Sequence, residues 1–577
     1  MSSYPKRLIE VDLPIKKISA HARREKSIRH GHISTLHIWW ARRPLAACRA
    51  VLCAALWPDP ADPLCPQKFR DDACSLINGF AAKAVSDKVL SQSCSHDTWK
   101  KWQTLSKVNG GLDAKKDAHW NVLRFALLDF IADFADWDNS TAAEYLETSR
   151  ALTQSAHEAL GGVPGTHPVV VDPFAGGGSI PLEALRVGAD AFASDINPVS
   201  VLLNKVVLEY IPKYGQRLAD EVRKWGQWVK LEAEKELAEF YPNDADGAMP
   251  IAYLWARTIQ CEGPGCGAKV PLVRTLWLAK KGSRSVAMQL VANPKAKRVD
   301  FRIIIKERDG WVDQANPKAK LENPKFDGAV KRGSATCPCC GYTTPVVRVR
   351  EQLKARQGGA NDAQLMCVVS TIANQQGRIY RLPTETDVKA ICAATAELER
   401  RKRVHDGTLS LVPDEKLDIR GVRHTWAMIY GLSTWEQFFT RRQALALTNI
   451  ARLVNRAGEQ VKANQGAEFA AALQTCLALV LGRQADALSA SVTWTPGGEF
   501  QGHTFARQAL AFVWDFAEVN PWCDSSGNFM GAVEWVAKVC ATGFDQHTTG
   551  SAQQASATHH PLPDDAAQGF VWTGPHF

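Results

Sequence analysis

Two pairs of cysteines carry the most specific chemistry in this sequence. Cys261-x4-Cys266 is followed by Gly267, and Cys337-Pro-x-Cys340 by Gly341. Two thiolates on one tight turn, with a glycine that lets backbone amides point at sulfur, form a knuckle. Two knuckles form a tetrahedral four-sulfur site suited to zinc. With all four positions taken by Cys261, Cys266, Cys337 and Cys340, the ion is structural, because none is spared for a reacting water. Seventy residues separate Cys266 from Cys337, longer than a usual ribbon spacer, and Lys/Arg-rich strands such as Arg302 to Lys306 are expected to fill it. Cys339 reads as a bystander.

A second group lies upstream. Val169-Val170-Val171 predicts a buried parallel strand that ends at Asp172. Gly176-Gly177-Gly178 then lets the backbone turn sharply and approach a ligand. A helix is expected from about Ser179, with Pro181 tolerated in its first turn and Gly188 placed to end it. A second apolar strand, Ala191 to Ala193, leads to Asp195, 19 residues after Gly176. A carboxylate there can accept hydrogen bonds from a ribose diol. The succession is half of a doubly wound α/β fold with a ligand site at the strand ends. The nicotinamide fingerprint is not met, since Pro181 occupies its third glycine position. Glycines that serve packing alone are the alternative.

The elements around these groups are bounded by length and composition. At 577 residues the chain predicts roughly three or four structural units. Its net charge of +9 is compatible with a phosphate-bearing partner without requiring one. No apolar run approaches membrane-spanning length, and Met1-Ser-Ser-Tyr-Pro-Lys-Arg7 has no signal-peptide core. Fifteen cysteines are too sparse for a disulfide scaffold and suit a reducing cytoplasm. Near the N-terminus, Lys16, Lys17, Arg23, Arg24, Lys26, Arg29, Arg42 and Arg43 surround His30, His32, His37 and the pair Trp39-Trp40. Such interleaving could contact a nucleic-acid backbone and stack on bases; it could equally anchor a helix through Trp39, Trp40, Leu45 and Val51 with its charges solvated. Helical patterns around Trp99 to Leu105 and Val122 to Phe134 read as a cap. Arg217 to Phe240 reads as a solvated amphipathic connector.

The turn Asp172-Pro-Phe-Ala-Gly-x-Gly178 resembles motif I of S-adenosylmethionine-dependent methyltransferases, especially those acting on exocyclic amines of nucleic-acid bases. Leu13-Pro-Ile-Lys-Lys-Ile-Ser19 with His37-Ile-Trp-Trp-Ala-Arg-Arg-Pro-Leu45 resembles the N-terminal domain of a bacterial family of adenine-specific DNA methylases containing a zinc ribbon. Pro250 to Thr258, Tyr430 to Trp435 with Phe439-x-x-Arg-Gln443, His503 to Leu510 and Trp514 to Pro521 are similar to the same family. The resemblance implies an α/β, Rossmann-like methyltransferase fold with a large inserted zinc-ribbon and helical region. It implies a glycine loop packed on the methionine part of S-adenosylmethionine, and a second acidic residue holding the ribose. Asp172, Phe174, Gly176, Gly178 and Asp195 are thereby the expected cofactor-binding residues. A segment before motif I is expected to help close the pocket. The implied activity is N6-adenine methylation of DNA, with duplex DNA as partner, by direct transfer and without a covalent enzyme intermediate.

The expected units are an N-terminal family domain (1–60), a helical cap (61–160), the cofactor-binding half (161–215), a helical connector (216–260), the zinc ribbon (261–345), a helical insertion (346–535) and a return to the methyltransferase sheet (536–577). The helical insertion is typified by Ala444 to Leu453 and Phe469 to Leu481. Target recognition is expected within the 395 residues between Gly178 and Gly574. Family members carry Asp/Asn-Pro-Pro-Tyr/Phe at the end of the fourth strand, where an oxygen orients the amine and the ring stacks on a flipped base. Here Gly550-Ser-Ala552 and Pro561-Leu-Pro-Asp-Asp565 precede an apolar strand, Phe570 to Trp572, and then Thr573-Gly574-Pro575-His576-Phe577. Gly574 stands in the acceptor position and His576 in that of the second proline, so the chain offers no catalytic residue of its own. The expectation is a split or truncated methyltransferase, inactive alone, with an exposed sheet edge and a second polypeptide supplying the missing motif and strands. An RNA base methyltransferase and a non-catalytic DNA-binding or regulatory subunit remain open.

Overall fold

A computed structural model describes residues 4–28, 31–39, 41–107, 111–322, 324–417, 426–506, 509–542 and 550–554. The chain divides into two compact units, one running to Ala219 and resumed from Lys538, the other from Asp220 to Ala537.

The first unit opens with helices α1 (Ile15–Glu25), α2 (Leu45–Leu56), α3 (Gln67–Ser86), α4 (Lys88–Ser93), α5 (His96–Ser106), α6 (Asp117–Phe134) and α7 (Ala143–Ala159). Their starts are chemically marked: Pro66 precedes α3, and the Asp87 carboxylate accepts from the amides of Val89 and Leu90 at the start of α4. One stripe of α3, Phe69, Ala73, Ile77, Phe80 and Ala84, is buried at helical spacing. Phe80 meets Trp102, Phe130 and Tyr145 edge-on at 5.6, 5.0 and 5.0 Å, fixing how the helices cross. The expected cap is therefore a helical core in its own right.

β1 (Val169–Asp172), α8 (Ser179–Val187), β2 (Asp190–Asp195) and α9 (Pro198–Lys205) follow, and the long α10 (Ile211–Leu237) leaves this unit. β2 lies between β1 and the C-terminal strand Gly550–Gln554, and both neighbours run parallel to it. The expectation of a buried first strand needs correction, because Val169 and Val171 are 64% and 60% exposed. β1 is an edge strand among the described residues, and side-chain alternation turns these two valines outward.

The second unit is built on β3 (Met249–Ala256), whose side chains are buried from Pro250 to Ala256. Next come β4 (Thr258–Gln260), β5 (Lys269–Pro271), β6 (Trp277–Ala279), β7 (Val286–Asn293), β8 (Arg298–Glu307), β9 (Gly310–Asp313) and β10 (Lys320–Leu321), joined in one seven-stranded sheet. A small sheet of β11 (Val330–Lys331), β12 (Ser334–Thr336) and β13 (Thr343–Thr344) precedes α11 (Val346–Lys354). Then follow β14 (Gln364–Thr371), β15 (Ile379–Arg381), α12 (Glu385–Val404), α13 (Arg441–Gln465), α14 (Ala467–Ala487), the hairpin β16 (Trp494–Thr495) and β17 (Phe500–Gln501), β18 (Asp515–Val519) and α15 (Phe529–Cys540).

Two expected helical regions are corrected here. Residues 216–260 end in β3 and β4, and residues 346–535 contribute β14, β15 and β18 to an antiparallel sheet of order β15-β14-β3-β18. Short continuous apolar runs such as Met366-Cys-Val-Val369 do not separate strand from buried helix by periodicity, and their partner β3 is about a hundred residues or more away in sequence. Among the described residues, no helix is long and apolar enough to cross a membrane.

Candidate functional site

The glycine turn is held from beneath by backbone chemistry. Gly176 and Gly178 have φ of 50° and 77°, a region in which a side chain is strained, and Gly178 opens α8. Asp195, buried at the end of β2, accepts from the Gly176 amide through Oδ2 at 2.8 Å and from the Asn197 amide through Oδ1 at 2.9 Å. The Gly176 carbonyl in turn accepts from Ser200 Oγ at 2.6 Å and Asn204 Nδ2 at 3.1 Å. Ser200 and Asn204 are four apart on α9, a pairing of polar residues on one helix face that the sequence displays and sequence reasoning passed over. Asp172 accepts from the Phe174 amide at 3.1 Å, and burial, then the nearby Asp195, raises its carboxyl above the ordinary range. Phe174 itself is exposed. Asp172, Phe174, Gly176, Gly178 and Asp195 thus meet at the ends of β1 and β2.

The N-terminal segment reaches the same turn. A Cβ on Gly176 would stand 2.9 Å from Trp39 Nε1, and one on Gly177 3.1 Å from Arg42 Nε. Arg42 donates through Nη2 to the His37 carbonyl at 3.2 Å, while its buried Nε has no partner among the described residues. Burial lowers the Arg42 pKa to about 10, with Glu25 opposing. Trp39 and Arg42 are the atoms that sequence reasoning could not assign when it expected this segment to help close a pocket. Other basic residues of the segment serve structure instead: Arg24 pairs with Asp136 at 2.6 Å, and Lys17 approaches Asp129 at 3.9 Å. Arg29, His30 and Trp40 lie outside the described residues.

Two buried carboxylates hold this segment in place. Glu25 accepts from the Leu45 and Ala46 amides at 3.1 and 3.4 Å, so it caps α2, and its Oε1 lies 3.0 Å from His32 Nε2. Glu183, fully buried on α8, accepts from Arg49 Nε of α2 at 2.6 Å and pairs with Arg186. Burial works against its charge, yet Arg186 and Arg49 together hold its carboxyl below the usual range. Arg49 also donates to the carbonyls of Phe134 and Asp136.

In the second unit the four cysteines converge. Cys261 and Cys266 sit in the turn between β4 and β5, and Cys337 and Cys340 in the turn between β12 and β13. Their sulfurs all lie within 4.8 Å of one another, with Cys261–Cys340 at 3.5 Å and Cys266–Cys337 at 3.8 Å. Four thiolates about 2.3 Å from a tetrahedral ion stand about 3.8 Å apart, so the donor set fits zinc. Gly267 and Gly341, at φ of 59° and 77°, complete the knuckles, and a Cβ on Gly263 would meet Cys340 Sγ at 3.0 Å. Cys339 points away to the Arg298 carbonyl at 3.4 Å, as a bystander does. The hydrophobic residues Ile259, Val270, Leu272, Val330, Val349 and Leu353 pack around the knuckles.

Residues 12–75 match a family model described as Protein of unknown function (DUF1156), and residues 158–244 match one described as D12 class N6 adenine-specific DNA methyltransferase. Comparisons with the curated proteins and with the solved structures return no match. A DNA methyltransferase model thus matches the stretch that contains the glycine turn, a model of the first family matches residues ahead of it, and a four-cysteine cluster lies further on. The N-terminal match spans the Trp39–Arg42 segment and Arg49, and the second spans Glu183 and Asp195. Pro561 to Asp565, Phe570 to Trp572 and Thr573 to Phe577, where the catalytic motif is expected, lie outside the described residues.

Proposed function

We propose that the chain is an S-adenosylmethionine-dependent DNA methyltransferase directed at the N6 amine of adenine, built on a Rossmann-like sheet. The observation that carries this reading is the glycine turn tied to Asp195 at the ends of two parallel strands, within the stretch matched by the methyltransferase model. S-adenosylmethionine supplies an electrophilic methyl group when bound. Asp195 spends one lone pair of each oxygen on a backbone amide, which fixes its orientation and leaves others for the two ribose hydroxyls. Gly176 to Gly178 present backbone where a side chain would intrude, Phe174 offers an exposed ring, and Asp172 holds the turn through the Phe174 amide. Trp39 and Arg42 cover the turn from the N-terminal side. Cys261, Cys266, Cys337 and Cys340 hold a structural zinc ion, and duplex DNA is the substrate.

Gly574 favours a second element of the reading. Lacking a side chain, it cannot orient an exocyclic amine, so that acceptor comes from outside residues 1–577, and these residues contribute the cofactor and DNA contacts. Calorimetry with S-adenosylmethionine tests the cofactor site. Asp195→Ala is expected to weaken binding about tenfold or more, the loss of a charge-assisted hydrogen bond. Affinity equal to that of the unaltered chain would remove Asp195 from the site. Methyl incorporation into duplex DNA against structured RNA, with that acceptor supplied, separates the two substrates.

A further inference from the structure

The sheet inserted between the two knuckles concentrates the charge of the whole molecule. Residues 267–336 hold sixteen Lys and Arg against six Asp and Glu, a balance of +10, whereas the full chain carries +9. Everything outside this insertion is therefore near neutral. Among the described residues, Arg298 and Arg302 are the insertion's two basic side chains with an ion-pair partner within 4 Å, at 2.8 and 3.2 Å from Asp300 and Asp313. Lys280, Lys306, Lys318, Lys320 and Lys325 are exposed. Exposed charge of one sign at this density builds a positive field that attracts a polyanion.

One face of that sheet also carries aromatic rings. Directly opposed residues of antiparallel strands share a face. Trp311 opposes Lys306, Asp313 opposes Ile304, Ala287 opposes Ile304, and Trp277 opposes Ala287. Alternation along β8 then sets Arg302 and Lys306 on the face that carries Trp277 and Trp311. Phe326 stacks on Trp277 with centroids 4.2 Å apart and planes at 18°, and Trp311 lies 5.6 Å from Trp277 and 5.0 Å from Phe326. All three rings are half-buried, so each keeps part of its surface on the outside. Lys280 Nζ stands 5.6 Å from the Trp277 centroid. A solvated charged face has no use for clustered indoles, and a purely apolar docking face would not be ringed by lysines.

We propose that this face binds a single-stranded DNA segment, with the lysines on phosphates and a base plane against the Trp277–Trp311–Phe326 cluster. The charge excess selects a polyanion, and the rings select one whose base faces are accessible, as in a strand opened around an extruded nucleotide. The assignment of DNA rests on the methyltransferase reading; the surface itself does not. It lies on residues that neither family match covers.

The test is fluorescence anisotropy of labelled single-stranded DNA with the full chain, over a salt series. Binding is expected to weaken steeply with salt. Lys280→Glu with Lys306→Glu should lower affinity tenfold or more and flatten the log–log salt slope by about 1.4, at roughly 0.7 for each lost phosphate contact. Trp311→Ala should weaken binding about fivefold or more without altering the slope, and Trp311→Phe should restore it, which separates stacking from misfolding. A charge-reversed chain that binds with the affinity and slope of the unaltered one overturns the proposal, as does tighter binding of single-stranded RNA of the same sequence. The readout needs no methyl transfer. DNA binding as expected in a chain that takes up no S-adenosylmethionine would fail the methyltransferase reading and leave the surface standing. Normal cofactor uptake with DNA binding insensitive to these lysines and to Trp311 would do the reverse.

Discussion

Asp195 illustrates how a single side chain fixes a turn and, in the proposed reading, also holds a ligand. Both of its oxygens accept backbone amides, so the same group that can face a ribose also sets the pitch of the glycine turn. Asp515, at the start of β18, shows the opposite economy. Burial raises its carboxyl to about 6, against the Arg274 amide and charge that favour ionisation. The unfolded chain gives up that proton near pH 4, and the folded chain keeps it until about pH 6. Stability should therefore fall by about 2 to 3 kcal/mol as pH rises from about 4 to 6 and level off above. Asp515→Asn is expected to abolish that fall in denaturation midpoints recorded across the range. A profile identical to that of the unaltered chain would show that Asp515 is solvated.

At the scale of elements, α2 and α8 are joined by charge rather than by apolar surface alone. Glu183 is the shared anion between Arg49 and Arg186, all three buried. Glu183→Gln keeps the shape and removes the anion that buried Arg49 and Arg186 share, which should cost about 3 to 5 kcal/mol. The drop belongs in the first unit's thermal transition, and a shift confined to the second unit would contradict the pairing. The knuckles set a second dependence. The hydrophobic residues around Cys261 and Cys337 form a small core, and small cores need a staple. About one zinc per chain should be measured by metal analysis. Chelation, or Cys337→Ser with Cys340→Ser, should release the ion and loosen the sheets that carry the knuckles. Purified chain without zinc would end that account.

Across the whole molecule, the glycine turn tied to Asp195 falls in one unit and the four-cysteine cluster with nearly all the net charge in the other. Such a division suits a protein in which holding the methyl donor and holding the nucleic acid are separate tasks. In the proposed reading Gly574 gives the amine no acceptor, so residues 1–577 by themselves are expected to transfer no methyl groups to DNA. Radiolabelled methyl incorporation checks this, and robust labelling by the chain alone would show that another group does that work.

The sequence by itself determined whatever depends on local spacing. The Cys261/Cys266 and Cys337/Cys340 knuckles, the turn from Asp172 to Gly178, α8 ended by Gly188, and Asp195 closing β2 were all legible, since glycine freedom and thiol spacing act over a few residues. The tertiary structure alone decided what depends on distant partners. Val169 and Val171 read as buried yet face outward, because strand burial depends on which neighbours cover the sheet. The strands β14 and β18 hid inside a region read as helical, because their identity is fixed by pairing with β3. Trp39 and Arg42 reached the glycine turn, and Trp277, Trp311 and Phe326 gathered on one face, across separations that no local pattern encodes.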